Sequence, residues 1–145
     1  MRIPEYWTFA KVAHRAAHLL AEGWQVKKRV GDGEISFKPP GGKRFCFCAI
    51  EALGRHFIGP TIRPGDYPEA ARDMGINARL RLDVMTANDS PVNFCLGDDL
   101  VDYSENRTLL LVSLGLPLDR GWQNCVSDKF KQRVQKVLSS RQPKK

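Results

Sequence analysis

Phe45-Cys46-Phe47-Cys48-Ala49-Ile50-Glu51-Ala52-Leu53-Gly54 is the stretch on which the fold turns: two cysteines one residue apart, opening an apolar run with helical spacing. At about 100° per residue, a helix from about residue 44 to 57 carries Cys46, Ile50, Leu53 and Phe57 on one stripe and Arg44, Cys48, Glu51 and Arg55 on another. The first stripe reads as a core face, so Cys46 is expected to be a small buried hydrophobe. Cys48 falls in the first turn, between Arg44 and Arg55, where unpaired N–H groups and the dipole favour a thiolate. That is the setting of a nucleophile, but a nucleophile also needs a base, and spacing places none of His14, His18 and His56 beside it. The plainer expectation is a helix-edge thiol packing on Ala52. In a helix the two thiols face nearly opposite ways, and a Cys-x-Cys without a second ligand pair is a poor zinc signal.

Outward from this run, residues 5 to 22 are helical by period. Phe9, Val12, Ala16 and Leu19 or Leu20 lie inside, and Gly23 closes the helix. Trp24 to Val30 and Glu34 to Lys38 flank Gly31-Asp32-Gly33, which predicts a β-hairpin. Pro68 fits the first turn of a short helix to Met74, closed by Gly75, and Asn77 caps another running to Thr86. Leu109-Leu110-Leu111-Val112 has no diagnostic period, and Ser104 as a cap favours a helix. Residues 91 to 103 form an acidic loop with apolar islands. A last helix from near Asp119 aligns Trp122, Val126, Phe130, Val134 and Val137, then frays at Ser139. These elements predict a compact, mostly helical α+β domain of about five helices with one small hairpin. Residues 1–138 make a single globular domain and 139–145 a basic, flexible tail.

The 145 residues carry a net charge of +7, and residues 129–145 hold Lys129, Lys131, Arg133, Lys136, Arg141, Lys144 and Lys145 with no acid. The rest of the chain is therefore formally neutral, though Lys27, Lys28, Arg29, Lys38, Lys43 and Arg44 cluster early. No stretch approaches the ~18 uncharged apolar residues of a membrane span, and the first residues carry no apolar leader, so a cytoplasmic protein is expected. Four cysteines (Cys46, Cys48, Cys95, Cys125) then read as reduced thiols.

His14 and His18 share a helix face at i and i+4, the spacing by which helices offer imidazoles to zinc, but Arg15 stands where a metalloprotease helix carries its glutamate. With no third ligand evident, they read as solvated. Asp98, Asp99 and Asp102 lack the alternation and the glycine of a calcium loop. No metal and no cofactor is expected.

Gly23-Trp24, then Cys48-Ala49-Ile50-Glu51-Ala52-Leu53, then Asn88-Asp89 before an apolar helix resembles a family of small bacterial and phage proteins with the pattern G-W, C-A-[IL]-G-A-[IL], W-N-D. The resemblance covers residues 8 to 115. Glu51 stands where that family usually has Gly, Ala87 where it has Trp, and residues 91 to 103 look inserted. It implies a fold and a phage or mobile-element origin, and brings no activity with it. The expected function is a non-catalytic binding module. Its Lys129, Arg133, Lys136, Arg141, Lys144 and Lys145 would meet an anionic partner, DNA, RNA or an acidic protein, through phosphate-type contacts that do not read sequence. The alternative is a cysteine-dependent hydrolase or transferase centred on Cys48, with His14, His18 or His56 as base.

Overall fold

Local signals place most of the elements. The structure is a computed structural model and describes residues 6–92 and 101–141. The Thr8 hydroxyl accepts the Lys11 amide and starts helix α1, Phe9–Ala21, which ends as the chain turns left-handed at Gly23. Strands β1, Gln25–Lys28, and β2, Ile35–Lys38, pair antiparallel with Val26 opposite Phe37. Helices α2 (Ala49–Phe57), α3 (Tyr67–Met74), α4 (Ala78–Asp89) and α5 (Val101–Ser113) follow. A short 3-10 turn at Trp122–Asn124 leads into α6, Asp128–Arg141. Gly75 and Asn77 punctuate α3 and α4 as their chemistry requires, the glycine in the left-handed region and the asparagine accepting the Leu80 amide. The architecture is the expected α+β, mostly helical fold with one hairpin, with six helices among the described residues rather than about five.

Five helices, α1 to α5, contribute to the core, with α3 packed on α2. α1 packs on α2 and α5, α4 on α5, and the hairpin lies against α2 and α4. Val12, Leu19, Ile35, Phe37, Ile50, Leu53, Val84, Leu110 and Leu111 have no exposure beyond 1%. The Trp7 indole donates to the Met74 carbonyl at 2.9 Å and ties the N-terminal segment to α3. A smaller cluster of Val112, Trp122 and Val134, with Phe130 and Leu138 against it, docks α6 on α5.

Several expectations are corrected. The 44–57 run begins its helix at Ala49, not at residue 44, because Phe47 pairs with Phe37 and the amides of Cys46 and Phe47 are taken up by the Phe37 carbonyl. The pairing with Phe37, and not a helical stripe, sets these side chains: Phe47 is buried and Cys46 is exposed rather than in the core. Ile50 and Leu53 keep their inward positions. Ser104 is no cap: it lies buried inside α5. The last helix is broken by the 3-10 turn, and its apolar stripe ends on Leu138, with Val137 left 38% exposed. α6 continues through Arg141, and the remaining residues of the expected flexible tail, 142–145, lie outside the described residues. So do positions 93–100 of the expected acidic loop, whereas 101–103 open α5. The four thiols are not all reduced: Cys46 and Cys48 are free, but Cys125 is disulfide-bonded.

Candidate functional site

The Cys48 thiol is a helix cap. Its Sγ accepts the Glu51 amide at 3.4 Å, and the Glu51 carboxylate accepts the Cys48 amide at 3.0 Å, a reciprocal box that satisfies two orphan donors at the start of α2. The second Glu51 oxygen accepts the Gly65 amide and ties the 59–66 loop to the helix. Burial pushes the thiol well above its ordinary range, and the neighbouring Glu51 charge pushes it further, against the opposing pull of the backbone N–H groups. The arginines expected beside Cys48 are elsewhere. Arg55 donates to the Ile62 carbonyl at 2.9 Å and lies over the Phe47 ring, while Arg44 is exposed, ahead of the helix.

His14 and His18 face each other on α1, with Nε2 atoms 3.1 Å apart. His56 stacks edge-on against Phe57 and shares a small crevice with His18, Arg15 and Glu22. No histidine appears among the groups that set the Cys48 thiol. Among the described residues no set of three or more His, Cys, Asp or Glu is placed to hold a metal, and Asp98 and Asp99 lie outside them.

The basic residues separate into those that hold the fold and those that face solvent. Lys28 and Arg107 belong to the first group. Arg107 is fully buried and grips Asp119 with Nε and Nη2 at 2.9 and 3.2 Å, the Gly33 carbonyl at 2.6 Å and the Ala87 carbonyl at 2.8 Å. Asp119 also receives Lys28 Nζ at 2.8 Å and the Val92 amide at 2.9 Å. Buried Asn88 extends the centre, its Oδ1 taking the Ala49 amide and its Nδ2 reaching the Ile35 carbonyl. Gly33 needs to be glycine on two counts: its φ is +73°, and a Cβ would sit 3.1 Å from both Arg107 Nη2 and Pro91. A cleft of about 680 Å³ opens above this centre, between the hairpin turn and the 117–121 loop. Its floor carboxylate is already fully engaged. Arg29 at its edge is held by Asp32 and Glu34.

Arg141, expected in the anion-binding set, also serves the fold, because its Nη1 donates to the Val112 carbonyl at the end of α5 at 2.6 Å. Lys129, Arg133 and Lys136 are exposed along one face of α6 at i, i+4 and i+7, and among the described residues none has a carboxylate partner. Lys144 and Lys145 lie outside the described residues.

A second exposed basic face, not anticipated as a unit, forms on the hairpin. The Cys46 and Phe47 amides both donate to the Phe37 carbonyl, at 3.1 and 3.2 Å, while Phe37 donates back to Phe47 at 2.8 Å. Two residues facing one make a β-bulge, which re-aims side chains. Phe47 goes inward beside Trp24, and Phe45 lies over the outer face instead. On that face Lys27 stands opposite Ser36, and Lys38 opposite Gln25. The two ammonium groups approach the Phe45 ring to 4.7 and 5.2 Å. Lys43 and Arg44, just before Phe45 in the chain, are exposed. The early cluster of positive charge was visible in the sequence; that a bulge sorts it into two faces was not. The only advance signal was the odd spacing of three aromatic or apolar residues, Phe45, Phe47 and Ile50.

No family model, no curated protein and no solved structure matches this chain.

Proposed function

We propose that the chain is a non-catalytic binding module for an anionic partner, of which nucleic acid is the leading kind. One observation carries the reading: Lys27 and half-buried Lys38 on the hairpin, Lys43 and Arg44 in the segment after it, and Lys129, Arg133 and Lys136 on α6 are without a carboxylate partner among the described residues, and all but Lys38 are exposed. Lys28, Arg29 and Arg107 show that where this fold wants an ion pair it builds one. Unpaired exposed cations in rows suit phosphates, which bind with counterion release and without reading sequence. A phage or mobile-element origin and a cytoplasmic setting belong to the same reading. The cysteine-enzyme alternative gains no support from a thiol that burial and Glu51 hold neutral.

The test is binding to labelled duplex and single-stranded DNA as salt rises. Full-length protein should bind at about 50 mM salt and release steeply. Reversing Lys129, Arg133 and Lys136 to Glu, with Arg141 kept because it holds α6 to α5, should reduce the log–log salt slope on duplex by about 3. Absence of binding to either nucleic acid at low salt overturns the proposal.

A further inference from the structure

We propose that Phe45 is a stacking platform for an unpaired base, and that the partner of the hairpin face is single-stranded nucleic acid. The inference rests on the anionic-partner reading above and names which nucleic acid it concerns. Phe45 is an aromatic ring the core does not use: Phe37 and Phe47, its neighbours across and along the strand, are 0% and 5% exposed, whereas Phe45 is only partly covered and lies outside the apolar clusters. The bulge at Cys46–Phe47 is what puts it there, since regular alternation would turn Phe45 and Phe47 the same way.

Two flexible cations lie over the ring. Lys27 and Lys38 reach it from the outer face of the hairpin, each by a four-carbon stem, and neither holds a carboxylate among the described residues. Such contacts at an exposed site are weak and readily exchanged. An incoming base would take the face of the ring, and the displaced ammonium groups would be left beside it, where the flanking phosphates of a single strand lie. Lys43 and Arg44, directly before Phe45 in the chain, are exposed and add positive charge to the same segment. In a duplex each base presents its π-face to its stacked neighbours, so the ring could be used only after unstacking. An acidic peptide would satisfy the charges but leave the phenyl ring without a role.

Fluorescence anisotropy of the full chain with a labelled oligothymidylate of about 16 nucleotides, against a duplex of equal length, tests this. Single strand should be preferred. Phe45→Ala should weaken single-strand binding by about 5- to 100-fold, leave duplex binding unchanged and leave the salt slope unchanged, because the lost contact is a stack and not a phosphate. Phe45→Trp should bind at least as well as wild type. Lys27→Glu with Lys38→Glu should instead lower the slope on single strand by about 1.4. If Phe45→Ala proves unfolded by circular dichroism, Phe45→Leu keeps the apolar bulk, removes the ring and is expected to show the same loss. Equal binding of folded Phe45→Ala or Phe45→Leu and wild type, or a preference for duplex, overturns the stacking inference while leaving the anionic-partner reading in place. Failure of wild type to bind either nucleic acid overturns both.

Discussion

Cys46 and Cys48 exchange the places that helical spacing gives them. The periodicity argument was sound from Ala49 onward, where Ile50 and Leu53 are fully buried. It failed for the residues before, because the amides of Cys46 and Phe47 are taken up by Phe37, a partner some ten residues away that no local pattern announces. Glu51 shows the opposite case. Its position three residues after Cys48 is the spacing of a capping box, with a thiol in the place usually held by a hydroxyl. The consequence is a reversal of thiol reactivity. Cys46 is exposed, while Cys48 is half-buried and its thiol pushed up by burial and by Glu51. At about pH 8, iodoacetamide should modify Cys46 first and Cys48 much more slowly, as read by peptide mass spectrometry. Equal rates would mean that the cap does not hold Cys48 as described.

At the scale of elements, helices and hairpin were legible wherever the sequence carries its own punctuation: Gly23, Gly31-Asp32-Gly33, Gly75 and Asn77. Boundaries set by tertiary partners were not, as with the start of α2, the burial of Ser104 within α5, and the 3-10 break before α6. Nor does the sequence reveal how closely α2 and α3 approach. A Cβ on Gly54 would lie 2.7 Å from the Cβ of Ala70, closer than methyl groups tolerate. In an ordinary helix interior Gly→Ala stabilises by up to about 1 kcal/mol. Here the overpacking, typically about 1–3 kcal/mol, opposes it in a rigid helix pair. Gly54→Ala should therefore destabilise the protein by about 1 kcal/mol or more in urea melts, and a stabilised variant would show that α3 shifts freely. Leu53→Ala, one position earlier and facing the core, should cost about 2–5 kcal/mol by its cavity alone.

For the whole molecule, the central polar group matters more than any one helix. Arg107, Asp119, Lys28 and Asn88 join the hairpin, α2, α4, α5 and the 117–121 loop. None was legible as a set, since their pairing depends on the finished topology. Burial raises the Asp119 carboxyl, but hydrogen bonds from Arg107, Lys28 and the Val92 amide, with the Arg107 charge, more than offset it and hold the group below its ordinary value. A depressed carboxylate contributes stability that is present above its unfolded value, about 3.9, and is lost as pH falls through the lower folded value. Wild type should thus exceed Asp119→Asn in stability at pH 7, and the gap should close below about pH 4 in urea melts at each pH. Exposed Asp32, held at about 2 chiefly by its hydrogen bond from Arg29, acts alike in both proteins and cancels from the difference. A gap that is constant with pH would show that the fold does not hold the Asp119 carboxyl below its unfolded value.

The reach of Arg107 along the chain has a consequence in time. Its partners lie 74, 20 and 12 residues away, at Gly33, Ala87 and Asp119. Contacts between such separated segments reward the chain only after the intervening loops have closed, so they are expected to form late on the folding route. Removing the guanidinium, as in Arg107→Met, leaves Asp119 buried with Lys28 alone and should cost about 3–5 kcal/mol. An interaction absent from the transition state does not slow refolding when it is lost; the whole effect falls on the reverse step, with unfolding accelerated on the order of a hundredfold or more. The lifetime of the native molecule, rather than the speed at which it is reached, is then set by one buried side chain.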